Sequence, residues 1–192
     1  MSTIKYLTKQ ELKALFKAIE KDSSKYKERN EALIKISYYC ALRVSEAVNL
    51  EKEYYNKESS QIYCKRLKGS LNNTLRIVDK DVLRAFNRHY RNCGDSKYIF
   101  LSRLGTPLSR KTVDIIFKRY CEVAGIKDKS KWHFHVLKHT RAVDLAEEGL
   151  DLKEIQYWLG HKEISNTQIY FEFTTAQQNH LYRKLEKEVK FL

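Results

Sequence analysis

Residues 132–171 read WHFHVLKHTRAVDLAEEGLDLKEIQYWLGHKEISNTQIYF, and the spacing inside that stretch decides the fold. His135, Lys138 and His139 fall at helical intervals, and Ala142, Val143, Leu145, Ala146 and Leu150 follow with a helical period, the pattern of a buried helix with a charged start. Gly149 ends that helix, and Asp151 is placed to cap the next, whose apolar side is Ile155, Trp158 and Leu159. Gly160 and His161 break out of it, which puts His161 on a turn. Ser165 or Asn166 then starts a short third helix, so that Tyr170 arrives on a separate element, free to move relative to the histidines.

Outside this stretch, composition sets the limits. The chain has 192 residues, 42% of them hydrophobic, which suffices for one well-packed domain over 1–192. A formal net charge of +13 gives the surface a positive field that favours a polyanionic partner, nucleic acid ahead of an anionic membrane, with a merely solvated lysine-rich surface as the bland alternative. No apolar run reaches membrane-spanning length and the opening STIKYLTKQE has no signal-peptide core, so a soluble cytoplasmic protein without a membrane partner is expected. Cys40, Cys64, Cys93 and Cys121 are scattered with no CxxC pair, which argues for reduced packing thiols rather than a zinc site or a disulfide framework.

From the N-terminus, Thr8 and Glu11 form a potential capping box for a helix that turns Leu12, Leu15, Phe16 and Ile19 inward. Asp22 to Arg29 reads as a loop, and Leu33, Ile34, Ile36, Tyr38 and Tyr39 make the next helix too apolar for a surface. Arg43 follows between apolar neighbours, just before Ser45 as expected N-cap of a short helix over 46–50. In that setting an arginine is either the buried partner of a carboxylate or an anion clamp. Ile62, Cys64 and Arg66, then Leu75, Ile77 and Val78, flank KGSLNN as a β-hairpin with Lys68 near its tip. Lys68 is either a solvated edge charge or a proton donor. Helices are expected over Val82, Leu83, Phe86 and Tyr90, over the run from Ser109 to Gly125, and over an amphipathic tail from 176 to 192 that packs on its own domain or on a neighbouring copy.

These residues resemble the catalytic domain of the tyrosine recombinases, the phage-integrase family that includes Xer proteins and the short invertases. Arg43 in ALRVSE matches the family's first arginine box, Lys68 its hairpin lysine with Lys65 as a competitor, His135 the start of its HxxRH box, His161 in WLGH its second histidine, and Tyr170 in NTQIYF its nucleophile. The resemblance implies a mainly α fold with a small antiparallel β-sheet, double-stranded DNA as partner, a homo-oligomer on that DNA, and no cofactor. The family's usual N-terminal DNA clamp is not expected within 1–192, which the catalytic domain fills. Its second arginine falls at Lys138, because Arg141 is one helical turn out of place.

The implied chemistry is metal-free cleavage of a phosphodiester, with Tyr170 attacking to give a 3′-phosphotyrosyl link. Arg43 and Lys138 would hold the phosphate, His161 would donate to it, His135 would assist proton transfer at the nucleophile, and Lys68 would protonate the leaving 5′-oxygen. His133 and His139 read as structural, with support of the site residues as the alternative for His139. Lysine keeps the charge of the absent arginine but not its planar fork, so Lys138→Arg is expected to speed cleavage about tenfold. Two other readings remain: a DNA-binding regulator with this fold that has lost cleavage, and a polyanion-binding scaffold without sequence preference.

Overall fold

The computed structural model describes residues 4–67 and 69–170, with Tyr182, Arg183 and Glu186 beyond them. Lys68 and, apart from those three positions, the helix expected over 176–192 lie outside the described residues. The architecture is mainly α with a small antiparallel sheet. Helix α1 spans Lys9–Glu20, and its capping box is present: Glu11 N–H donates to Thr8 Oγ1 at 3.2 Å, and Thr8 N–H donates to Glu11 Oε2 at 2.8 Å.

Helix α2, Lys27–Tyr39, is the centre of the core. Leu33, Ile34, Ile36 and Tyr39 are buried on it, and so are Glu31 and Lys35, which can be because they pair with each other at 2.9 Å. The loop before it is shorter than expected, since Arg29 already lies in the helix, where its guanidinium donates to Leu101 O at 2.8 Å.

After α2 the chain turns through Ala41, whose φ of 51° lies in the left-handed region that costs an L-residue roughly 1–2 kcal/mol. Leu42 N–H closes the turn onto Ser37 O at 2.9 Å. Helix α3, Val44–Val48, then begins two residues earlier than expected. Its N-cap is Arg43 rather than Ser45, because the Glu46 carboxylate reaches back to accept the Arg43 backbone N–H at 2.8 Å.

The sheet has the order β1-β2-β3, from Tyr55–Asn56, Gln61–Cys64 and Asn73–Arg76, all antiparallel. Ile62 stands opposite Leu75, both buried, which fixes the register. The edge strand β1 was not evident from sequence, being too short to show alternation. Arg66, Ile77 and Val78, expected on the hairpin strands, fall just beyond their ends.

Helix α4, Lys80–Asn92, is capped by Asp79, and α5, Arg110–Val123, by Ser109 as expected. Helix α6, Val136–Glu147, packs on α2 and on α7, Leu152–Leu159, which carries a capping box between Asp151 and Glu154. Arg141 is absent from the lining of the cavity that Lys138 and Tyr170 share and lies over the rings of Tyr38, Tyr39 and Trp158, 5.0 to 5.6 Å from their centroids. Helix α8, Ser165–Gln168, starts at Ser165, with Ile164 and no side-chain cap before it. Among the described residues no helix is long and apolar enough to cross a membrane.

Gly160 locks the hairpin loop onto the end of α7. Its φ is 65°, its carbonyl accepts Leu71 N–H at 2.9 Å, and a bridge joins Ser70 to His161. A Cβ at Gly160 would stand 2.6 Å from Leu71 O and 2.9 Å from Arg66 Cγ. Gly160→Ala is therefore expected to lower the melting temperature by at least about 2–4 °C, the strain of the left-handed backbone alone being on the order of 1 kcal/mol. A calorimetric scan showing no loss would contradict this close approach.

Candidate active site

Three backbone features converge on one cavity of about 260 Å³: the α2–α3 turn, the hairpin loop, and the ends of α6, α7 and α8. It is lined by Arg43, Ser70, His135, Lys138, His161 and Tyr170, together with Gly69, Asn166 and Ile169. Five of the six site residues expected from sequence thus meet at one place. The sixth, Lys68, is outside the described residues, but its neighbours Gly69 and Ser70 line the cavity. The competitor Lys65 lines a different cavity, with its ammonium 3.3 Å from Tyr54 Oη.

Arg43 is paired with a carboxylate, the first of the two readings that the sequence left open. Its Nη1 donates to Glu46 Oε1 at 2.9 Å and to Ser70 Oγ at 3.0 Å, while the side chain stays partly exposed to the cavity. Glu46 holds more than this arginine. It also accepts the Leu67 backbone N–H at 3.2 Å and a donor from Arg66 at 3.3 Å. Burial works against its ionisation, but the Arg43 N–H and the charges of Arg66 and Lys138 outweigh burial and keep its carboxyl below the ordinary value.

Lys138 is 1% exposed. Its Nζ donates to Leu159 O at 2.7 Å and to Ala41 O at 3.2 Å, leaving one N–H of the ammonium for a ligand. Burial, then the neighbouring Arg66, push its pKa down to about 7.

His161 sits on the turn after α7, and its Nδ1 is 3.0 Å from the buried hydroxyl of Thr167. When that hydroxyl donates, Nε2 carries the ring proton and is the donor left over. Burial and the charges of Lys138 and Arg43 hold His161 down to about 3, so it is neutral near pH 7.

Tyr170 is not on a free element. It is 6% exposed and packs with Ala41, Ala142, Leu145, Ala146, Ile155 and Leu159. Its hydroxyl lies 2.7 Å from His139 Nδ1, and His135 meets the His139 ring edge-on at 4.6 Å between centroids. Burial raises the phenol to about 12, with Arg43 pulling the other way, and burial lowers both histidines to about 4. A neutral His139 beside a protonated phenol makes the imidazole nitrogen the acceptor.

Sequence reasoning missed three members of this cluster, Glu46, Arg66 and Ser70, and gave His139 no more than a supporting role. His139 had a signal, since it stands four residues after His135 on one helix face. Glu46 and Arg66 had none beyond being charges beside apolar residues. Among the described residues no cluster of His, Cys, Asp and Glu is placed to hold a metal ion.

Comparison with known proteins places the chain in a family and matches its fold. Residues 5–177 match the model of the phage integrase family. Tyrosine recombinase XerA of Pyrococcus furiosus is 35% identical over 186 residues, which is 95% of this chain and 61% of that protein. Tyrosine recombinase XerH of Campylobacter jejuni is 31% identical over 174 residues, 88% of this chain and 48% of that one. The chain therefore spans less than two thirds of the length of these relatives. The fold is that of the crystal structure of XerA recombinase, with a TM-score of 0.81 at 24% identity over 100% of this chain and 68% of that one. A XerH site-specific recombinase bound to difH substrate in a pre-cleavage complex matches with a TM-score of 0.79 at 23% identity, over 95% of this chain and 55% of that one. On the strength of the family match over nearly its whole length, this chain belongs to the phage integrase family.

Proposed function

We propose that this chain cleaves and rejoins double-stranded DNA in site-specific recombination, through a 3′-phosphotyrosyl intermediate. One observation carries the reading: a buried tyrosine hydrogen-bonded to a neutral histidine shares a cavity with two cations and a histidine turn. In the proposed step Tyr170 Oη bonds to phosphorus and the bond from phosphorus to the 5′-oxygen breaks. The phenol proton passes to His139, and the leaving oxygen takes a proton from Lys68. Arg43, Lys138 and the free donor of His161 face the charge that grows on the non-bridging oxygens, where fixed donors in a dry site are worth most. This gives His139 the proton-acceptor role that the sequence suggested for His135, because His139 is the ring within reach of Tyr170. His135 lines the cavity and is left to support the phosphate and the His139 ring.

The DNA partner is supported by the net charge of +13 and by the DNA-bound XerH structure. Assembly as a homo-oligomer on DNA is part of the same proposal. The regulator reading has one observation in its favour, the two carbonyls that already occupy Lys138.

The test is a denaturing gel of the protein with a nicked duplex, selected from a random-sequence pool by binding to this protein. The wild type is expected to give a protein–DNA adduct. Tyr170→Phe should give none while binding DNA with nearly unchanged affinity, since only the nucleophilic oxygen is lost. His139→Ala should slow single-turnover cleavage about a hundredfold, the scale of a lost general base. Specific binding with no adduct from any variant would favour the regulator, and an adduct persisting in Tyr170→Phe would move the nucleophile elsewhere.

A further inference from the structure

We propose that Arg66 is a positioning residue for Lys138, its guanidinium and the carbonyls it holds forming a buried floor behind Lys138, outside the cavity lining, where an arginine at position 138 would have to place its own. Only the identity of the anion above that floor rests on the recombinase reading.

Arg66 leaves the hairpin and runs inward until its side chain is wholly buried. Every N–H of its guanidinium has an acceptor. Nε donates to Asn73 Oδ1 at 3.0 Å, Nη1 to Ala41 O at 3.2 Å and Glu46 Oε2 at 3.3 Å, and Nη2 to Cys40 O and Trp158 O, each at 2.9 Å. These acceptors belong to the hairpin, the end of α2, α3 and the end of α7, so one side chain ties together the elements that form the cavity.

Lys138 uses what remains. It shares Ala41 O with Arg66, at the same 3.2 Å, and takes Leu159 O, the carbonyl next to the one Arg66 holds. The Ala41 carbonyl thus has both lone pairs engaged. A guanidinium at 138 is bulkier than an ammonium and brings more donors, yet one of the two carbonyls there, Ala41 O, already accepts from Arg66, as does Trp158 O beside the other, and a like charge stands next to it. An ammonium fits because it is compact: two donors go to carbonyls and one is left facing the cavity. The expectation that restoring arginine would help is therefore reversed. Lysine is the residue that suits a floor already holding a guanidinium.

The pairing also sets the charge of Lys138. The groups facing it are Arg66 and Arg43, which push its pKa down together with burial, and Glu46 and Cys64, which push it up. The rings of His135, His139 and His161 are neutral near pH 7. Removing the Arg66 charge should let Lys138 hold its proton to higher pH. Because the ammonium is the form that meets a phosphate, cleavage should fall as pH rises above about 7 in the wild type, and that fall should move to higher pH in Arg66→Gln.

The experiment compares wild type, Lys138→Arg, Arg66→Gln and the double variant by single-turnover cleavage of a nicked duplex across pH, with melting temperatures of all four. Overpacking in Lys138→Arg is expected to cut cleavage at least about tenfold and to lower the melting temperature. Arg66→Gln carries its own loss, since Glu46 and four other acceptors lose their donor, but the double variant should lose less than the two single losses combined, because the second guanidinium then has the floor to itself. Lys138→Arg cleaving as fast as wild type, or losses in the double variant that equal or exceed the sum of the two single losses, would overturn the pairing. If the wild type forms no adduct at all, the recombinase reading fails instead, and the melting temperatures alone decide the pairing in the same way.

Discussion

The structure depends on one buried carboxylate. Glu46 accepts the Arg43 backbone N–H, the Arg43 guanidinium, the Arg66 guanidinium and the Leu67 N–H, and it is the only carboxylate that Arg43 and Arg66 touch among the described residues. Losing one partner of a buried ion pair leaves an uncompensated charge and costs several kcal/mol, on the order of 3–5. Glu46 therefore fixes the start of α3, the base of the hairpin loop and the cation cluster at once. Three cations lie around it, with Lys138 close enough to Glu46 to feel its charge. The cluster carries an excess of positive charge beside an open cavity, which suits an anion entering from it.

Against that fixed floor, Tyr170 is held by different forces. It packs among alanines and leucines of α6 and α7 and hydrogen-bonds to His139, so the same helix that begins with His135 presents its second turn to the phenol. The site thus has a polar half, organised by Glu46, and an apolar half, organised by α6 and α7. Gly160 joins them, because only a residue without a Cβ lets the loop after β2 lie directly on the end of α7.

Much of this was legible in sequence, and the reasons differ by element. The helix starts at Thr8, Ser109 and Asp151 were readable because a capping side chain needs only its own turn. The α3 start was misread because Ser45 is the better cap by type, and the side chain that decides, Glu46, acts backwards on Arg43. The positions of Arg43, His135, Lys138, His161 and Tyr170 were readable from spacing and resemblance, since each sits at a helix end or turn that the pattern marks. What could not be read was how Lys138 is occupied. That depends on Arg66, 72 positions earlier in the chain, and on carbonyls of the α2–α3 turn and of α7, which meet only in the folded chain. Tyr170 was expected on a free element for the same reason: the apolar surface that receives it is assembled from two other helices.

The central claim is that Tyr170 is the nucleophile of this site, and mass spectrometry of the protein after reaction with a nicked duplex tests it most directly. Proteolysis of the trapped product should yield the peptide containing Tyr170 carrying a nucleotide through its 3′-phosphate. A nucleotide attached to another residue, or a wholly unmodified Tyr170 peptide from protein that has demonstrably cleaved the duplex, would contradict the account.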